Sequence, residues 1–194
     1  MEWLTIAGTT IIVSSVTYGY YMLNQKDKPV IMELDKIESI FSKSDQSPKQ
    51  KITKIIDETE KTLDIGIFLL TENDFVTHIC KATKRGVNVR MITDRKQTSE
   101  LSKQTANVQK LIESGVPVKV NQHDGNMHLK VMISDKKLTT SGSYNFTYSA
   151  EEKNDEVLVV IKSKKMGEEW TDKFNQMWKD SSEYNPSRAD EKLA

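Results

Sequence analysis

Beyond a charge-free opening segment, apolar positions fall into short continuous runs separated by helical stripes. Trp3 to Leu23 is 21 residues without a charge, followed by Lys26 and Lys28. As a helix it would span roughly 30 Å, the thickness of a bilayer core. Thr5, Thr9, Thr10, Ser14, Ser15 and Thr17 make it only moderately apolar, and Trp3, Tyr18, Tyr20 and Tyr21 fall where interfacial aromatics belong. A cleaved signal peptide is the rival reading, but there is no basic start and no convincing small-x-small site before the lysines. Residues 1–25 therefore read as an N-terminal membrane anchor, with one transmembrane helix through residues 3–23. Lys26 and Lys28 would keep the C-terminal domain on the cytosolic side.

Residues 26–46 are polar and mixed, apart from Ile31, Leu34, Ile37, Ile40 and Phe41, and read as a linker: a tether helix or a strand plus a tether. Helical spacing then runs from Ser47, an N-cap before Pro48, through Ile52, Ile55, Ile56 and Thr59. Asp64 to Leu70 is an apolar run of strand length. A helix follows over 73–84 and stops at Gly86, where glycine suits a left-handed C-terminal residue. Strands are predicted at 87–93, 116–122, 128–134, 137–141 and 157–161, with helices at 99–114 and 168–178. Strands alternating with helices predict an α/β sandwich with a mixed, mostly buried sheet over residues 47–180. Residues 181–194 read as a disordered tail.

The 28 basic and 28 acidic residues cancel overall but are unevenly spread. Between His78 and Lys137 there are 12 Lys and Arg against 5 Asp and Glu, a local excess of +7 that includes Arg85, Arg90, Arg95, Lys96, Lys103, Lys119, Lys136 and Lys137. Such a block suits a polyanionic partner, although solvated helix faces would look the same. The lone cysteine, Cys80, excludes an intrachain disulfide and a cysteine-rich zinc site, and its spacing with Phe75, Val76 and Ile79 marks it as core.

The most specific pattern is His128-x-Lys130, then Asp135, then Gly142-Ser143-x-Asn145. Alternate side chains of a strand share a face, so His128 and Lys130 project together as a nucleophile or acid beside a cation. Gly142 permits close backbone approach, and Ser143 and Asn145 add neutral donors suited to phosphoryl oxygens. A lone His-x-Lys would signify little; the whole spacing points to phosphodiester chemistry. His123, in Gln122-His123-Asp124-Gly125, reads as a loop residue at the rim, and His78 as a helix-surface or partly packed residue.

Those residues resemble the HKD signature of the phospholipase D superfamily. The likeness extends through Ser143 to Thr147, Glu151, Lys153-Asn154 and Glu156, in the manner of the small single-HKD nucleases and the Zucchini-type cardiolipin hydrolases. The resemblance implies that His128 is the nucleophile of a phosphohistidine intermediate. Two motifs are needed per site, so it also implies a homodimer in which the second His128 is the general acid. Lys130, Asn145 and Ser143 would hold the phosphate, and Glu156 would accept a hydrogen bond from the imidazole. Asp135 belongs to the signature but reads as structural, pairing across a dimer or fixing the 135–137 turn. The resemblance implies no cofactor and no metal, and places the enzyme on the outer mitochondrial membrane.

Three functions are compatible with these residues. An endonuclease acting on single-stranded RNA or DNA fits the basic block and the 143–156 likeness. A phospholipase acting on an anionic lipid such as cardiolipin, releasing phosphatidic acid, fits the anchor. A catalytically silent membrane-tethered scaffold fits least, because His128, Lys130, Asn145 and Glu156 are all present.

Overall fold

The computed structural model describes residues 36–187, so the anchor expected over residues 3–23 lies outside the described residues. Within them the elements run β1 (Lys36–Phe41), α1 (Pro48–Glu58), β2 (Thr62–Ile67), α2 (Asn73–Lys84), β3 (Asn88–Thr93), α3 (Arg95–Glu100), α4 (Ser102–Glu113) and β4 (Val118–Asn121). They continue with β5 (Lys130–Ser134), β6 (Leu138–Gly142), α5 (Tyr148–Glu152), β7 (Val157–Lys162), α6 (Lys164–Lys179) and β8 (Tyr184–Pro186). All eight strands join one mixed sheet in the order β1-β7-β6-β5-β2-β3-β4-β8. The chain is therefore the mixed α/β architecture that the alternation predicts. Among the described residues no helix is long and apolar enough to cross a membrane.

The expected caps form. The Ser47 side chain accepts from the Gln50 amide at 3.1 Å, and α2 gives way to Gly86 at φ +91°. The helix expected over 99–114 is instead two, because Leu101 is extended at φ −96°, ψ 105° between α3 and α4. The sheet also reaches beyond residues 47–180. Part of the expected linker is β1, antiparallel to β7, and part of the expected tail is β8, antiparallel to β4. Both are edge strands with a mixed, half-exposed pattern, which is why hydrophobicity alone does not announce them.

Two apolar layers sandwich the sheet. On one face α1, α2 and α4 bury Ile52, Ile55, Ile56, Phe75, Ile79, Val108 and Leu111 against Leu63, Ile65, Ile67, Met91 and Met132, with Cys80 half-buried beside them. On the other, α6 lays Phe174, Trp170, Met177 and Trp178 over Ile92 and Ile133. The α6 layer is pinned by Asp64, buried in β2, whose carboxylate takes a bidentate pair from Arg90 at 2.7 and 2.8 Å. Arg90 also donates to Asn175 at 2.9 Å and sits 5.1 Å from the Phe174 ring centre. Breaking one side of such a pair leaves an uncompensated charge in the sheet. Gly167 lets α6 approach the β5–β6 turn, since a Cβ there would stand 2.3 Å from the Lys136 carbonyl.

That turn contains the signature aspartate. Asp135 and Lys136 have φ +51° and +56°, the mirror-type geometry of a two-residue hairpin. The Asp135 carboxylate faces the start of β2 and accepts from the backbone N–H of Glu60, Lys61 and Thr62 at 3.1, 2.7 and 3.0 Å. It therefore ties the α1–β2 loop to the β5–β6 hairpin at the sheet edge opposite Lys130. Partial burial alone would raise its pKa; the donors of Thr62, Lys61 and Glu60, with Lys137 nearby, outweigh that and hold it below the ordinary value. A depressed folded-state pKa gives stability that is present above the unfolded value and lost as pH falls through the folded one. Asp135→Asn should lower urea stability by about 1–3 kcal/mol at neutral pH. The deficit should shrink below the ordinary aspartate range; a deficit constant from neutral pH to strong acid would contradict this role.

Candidate active site

Register places the site. Ile67 at the end of β2 pairs with Lys130 at the start of β5, and Gly142 at the end of β6 pairs with Leu158 near the start of β7. Thr93 of β3 pairs with Ile67 and with Val120 of β4. The last residues of β2, β3, β4 and β6 and the first of β5 and β7 thus share one sheet edge. Here β2, parallel to β3, meets the antiparallel β5.

His128 and Lys130 meet as their alternation predicts, although β5 begins at Lys130 and His128 lies just before it. Lys130 Nζ is 3.1 Å from His128 Nδ1, 3.2 Å from Nε2 and 3.0 Å from the His128 carbonyl. The ammonium therefore stands directly against the imidazole, within reach of both ring nitrogens. Burial lowers the Lys130 pKa, and the negative charge of Glu156 partly offsets this. His128 itself is exposed, open to a substrate.

The Gly142–Asn145 loop forms the other wall. Gly142 has φ +150°, and a Cβ there would stand 2.0 Å from the Val157 carbonyl, so no other residue fits. The Ser143 amide donates to the Val157 carbonyl at 3.1 Å, and Ser143 Oγ accepts from the Val157 amide at 3.2 Å. Its hydroxyl proton therefore remains available. Asn145 Oδ1 accepts from the Leu69 amide at 3.2 Å, which fixes the side chain and leaves its NH₂ group to donate.

Glu156 departs from expectation. Its carboxylate accepts from Asn154 Nδ2 at 3.0 Å, and among the described residues the hydrogen-bond partner of the His128 ring is Lys130. The cause is strand order: β7 is separated from β5 by β6, so Glu156 stands roughly two strand spacings, about 10 Å, from the histidine strand. It reaches Lys130 through its charge. Ser42, just after β1, holds it in place, accepting from the Glu156 amide at 2.9 Å and donating to the Asn154 carbonyl at 2.7 Å. Asp135, at the far edge, is remote from this constellation.

Phe68 is the residue that the pattern of apolar positions conceals. Its ring lies 4.5 Å from the His128 ring at 53°, and Lys130 Nζ sits 5.1 Å from its centre. Its backbone is held too: the Phe68 amide donates to the Leu129 carbonyl at 2.9 Å, and buried Gln104 donates to the Phe68 carbonyl at 3.2 Å. In sequence it lies within the Ile65–Leu70 run and looks like core; only proximity to the signature distinguishes it.

The basic block divides. Arg85 donates to the Ile56 and Thr59 carbonyls, Arg90 pairs with Asp64, and Lys119 donates to the Trp178 and Tyr184 carbonyls. Lys136 and Lys137 lie in the opposite-edge turn. Arg95, Lys96 and Lys103, all exposed, follow β3 on the side of the site, and none makes an ion pair among the described residues. His123 lies in the 122–127 loop, edge-on to Tyr184 at 6.0 Å. His78 is engaged with Asp57 at 2.8 Å.

Comparison with known proteins agrees with this geometry. Residues 52–178 match the family described as "Cardiolipin synthase, PLD-like domain". The chain is 30% identical over 119 residues to a phospholipase D of Rickettsia prowazekii, covering 61% of this chain and 57% of that protein. It is 30% identical over 118 residues to a mitochondrial cardiolipin hydrolase of Chlamydomonas reinhardtii, covering 61% and 52%. The matches thus span little more than half the length of these relatives. Nuc of Salmonella typhimurium, a phospholipase D family member, superposes with TM-score 0.70 at 24% identity, over 79% of this chain and 99% of Nuc. With more than half of its length matched by the family and the His-x-Lys and Gly-Ser-x-Asn segments on one sheet edge, the chain belongs to the phospholipase D superfamily.

Proposed function

We propose that this protein is a metal-independent phosphodiesterase working through a phosphohistidine in a homodimer, and that its substrate is single-stranded RNA or DNA. The observation that carries the reading is Lys130 Nζ at 3.1 Å from the exposed His128 ring, with Ser143 and Asn145 on the same edge. His128 forms a nitrogen–phosphorus bond while the bond to the leaving oxygen breaks. The partner's His128, entering protonated, gives that oxygen its proton. It then takes a proton from the water that cleaves the phosphohistidine and frees His128. Lys130, Ser143 and Asn145 hold the non-bridging oxygens as charge builds. Glu156 favours the charged form of Lys130 and is the candidate to orient the imidazole in the assembled dimer.

A second copy is required because one chain supplies one His-x-Lys motif. It would also cover Ile37, Phe41 and Leu129, large apolar residues exposed by 53, 59 and 39%. The nucleic-acid assignment rests on Arg95, Lys96 and Lys103, which flank the site and make no ion pair among the described residues. Residues 3–23 would tether the enzyme to a membrane, and the relatives named mitochondrial cardiolipin hydrolase favour the mitochondrial outer membrane.

Cardiolipin hydrolysis is the second reading, favoured by a specific feature. A groove of about 330 Å³, lined by Leu129, Val131, Trp170, Phe174 and Met177, opens on the face of β5 opposite Lys130. It is apolar enough for part of an acyl chain.

The full-length protein, with EDTA present, should be offered labelled single-stranded RNA, single-stranded DNA and cardiolipin liposomes, with His128→Asn as blank. Cleaved strands and intact liposomes are expected; phosphatidic acid with intact strands would establish the second reading. Residual turnover by His128→Asn would remove His128 from the chemistry. Co-assembling wild type with that variant should make activity per wild-type chain fall in proportion to the wild-type fraction, and an unchanged value would mean that each chain holds a whole site. Lys130→Ala should lower kcat on the order of 10²–10³-fold. Because burial disfavours the Lys130 ammonium, activity should be lost as pH rises through a value below that of an ordinary lysine. Lys130→Arg should move that alkaline limb upward, and a limb that stays put would assign it to another group.

A further inference from the structure

The loop that presents Ser143 and Asn145 alternates in its exposure: Ser143 is exposed and Asn145 half-buried, while Tyr144 and Phe146 are buried at 2% and 4%. The inward pair is anchored by different means. Phe146 stacks on Phe75 at 4.3 Å, and its carbonyl takes the amides of Thr71 and Glu72. Tyr144 carries a polar tip into the layer beneath the site, where its hydroxyl donates to Glu151 Oε2 at 2.7 Å. Glu151, in α5, also accepts from the Lys49 amide at 3.3 Å and from Ser47 Oγ. Ser47 is the N-cap of α1. One carboxylate therefore links the phosphate-facing loop, α5 and the start of α1. Burial and the Glu151 charge push the Tyr144 hydroxyl far above its ordinary pKa, so it stays a donor at any working pH.

Tyr144 is buried and the Glu151 carboxylate is engaged by Tyr144, Ser47 and Lys49, while the packing of the tyrosine ring does not require its hydroxyl. A charge-assisted bond at this depth restrains the backbone on either side of Tyr144, the two positions that carry Ser143 and Asn145. We propose that Tyr144 and Glu151 are positioning residues, a brace that sets the reach of Ser143 and Asn145 toward the phosphoryl oxygens. The inference rests on the reading of this edge as the phosphodiesterase site. Donors aimed at developing charge act through placement, so loosening the brace weakens the transition state more than it weakens substrate binding.

The test uses the full-length protein with a single-stranded oligonucleotide, a small activated phosphodiester and His128→Asn in parallel. Tyr144→Phe keeps the ring and removes one donor; Glu151→Ala removes the acceptor shared by the loop, α5 and α1. Each should lower kcat about 10- to 100-fold, with KM within about twofold and the pH limbs unmoved, since neither residue transfers a proton. Glu151→Gln should recover most of that loss. Its amide oxygen can accept from Tyr144 and Lys49, and its NH₂ group can donate to Ser47 Oγ. Melting curves establish that each variant is folded at the assay temperature. Wild-type kcat in folded Tyr144→Phe and Glu151→Ala, with only a lowered melting temperature, would reduce the brace to a stabilising contact. Equal loss in Glu151→Gln and Glu151→Ala would overturn the geometric role. Turnover by His128→Asn would overturn the site assignment itself, independently of the brace.

Discussion

The antiparallel docking of β5 on β2 is the constraint on which the site depends. Pairing Ile67 with Lys130 and Gly66 with Val131 leaves Lys130 at the edge where β2 and β3 end, and His128 just beyond it. Side chains of a strand alternate, so a one-residue slip would turn Lys130 toward α6 and bring Leu129 or Val131 to its place. Burial prevents the slip. Met132 belongs to the layer beneath α1 and α2, and Ile133 to the layer beneath α6, so both faces of β5 are committed. The Asp135 hairpin adds a second lock at the far edge, bonded to the start of β2 itself. The placement of His128 and Lys130 is thus a consequence of core packing.

Around that register, the site edge is built chiefly from backbone groups and neutral side chains. Gln104, with no exposed surface, accepts from the Leu70 amide and donates to the Phe68 carbonyl, and Asn107 donates to the Leu70 carbonyl. Asn145 takes the Leu69 amide between them. The segment after β2 is therefore held from both sides, and Phe68 is delivered against the His128 ring. These supports carry no net charge, so they hold the segment without adding to the charges of Lys130 and Glu156, which act on one another.

Residues whose chemistry depends on local spacing were legible in the chain. His128, Lys130, Ser143 and Asn145 fall two, thirteen and two positions apart in succession, strand periodicity puts the first pair on one face, and the structure brings the two pairs to one edge. What stayed hidden depends on contacts distant in sequence. Arg90 and Lys119 look like members of a cationic patch until Asp64 and the carbonyls of Trp178 and Tyr184 are seen to hold them. Phe68 cannot be told from Ile67 by hydrophobicity. Glu156 follows the motif at the expected distance, yet an intervening strand keeps its carboxylate from the imidazole within one chain. The edge strands β1 and β8 were obscure because a strand paired on one side only needs little apolar character.

The central claim is that His128 becomes covalently bonded to phosphorus. Its most direct test is a rapid acid-free quench of the full-length enzyme with a diester carrying radiolabelled phosphorus, followed by alkaline peptide mapping. The account expects a transient label, stable in base and labile in acid, on the peptide containing His128, formed and discharged at least as fast as turnover. Full turnover with no labelled protein at any time point, or a label on a different residue, would contradict it.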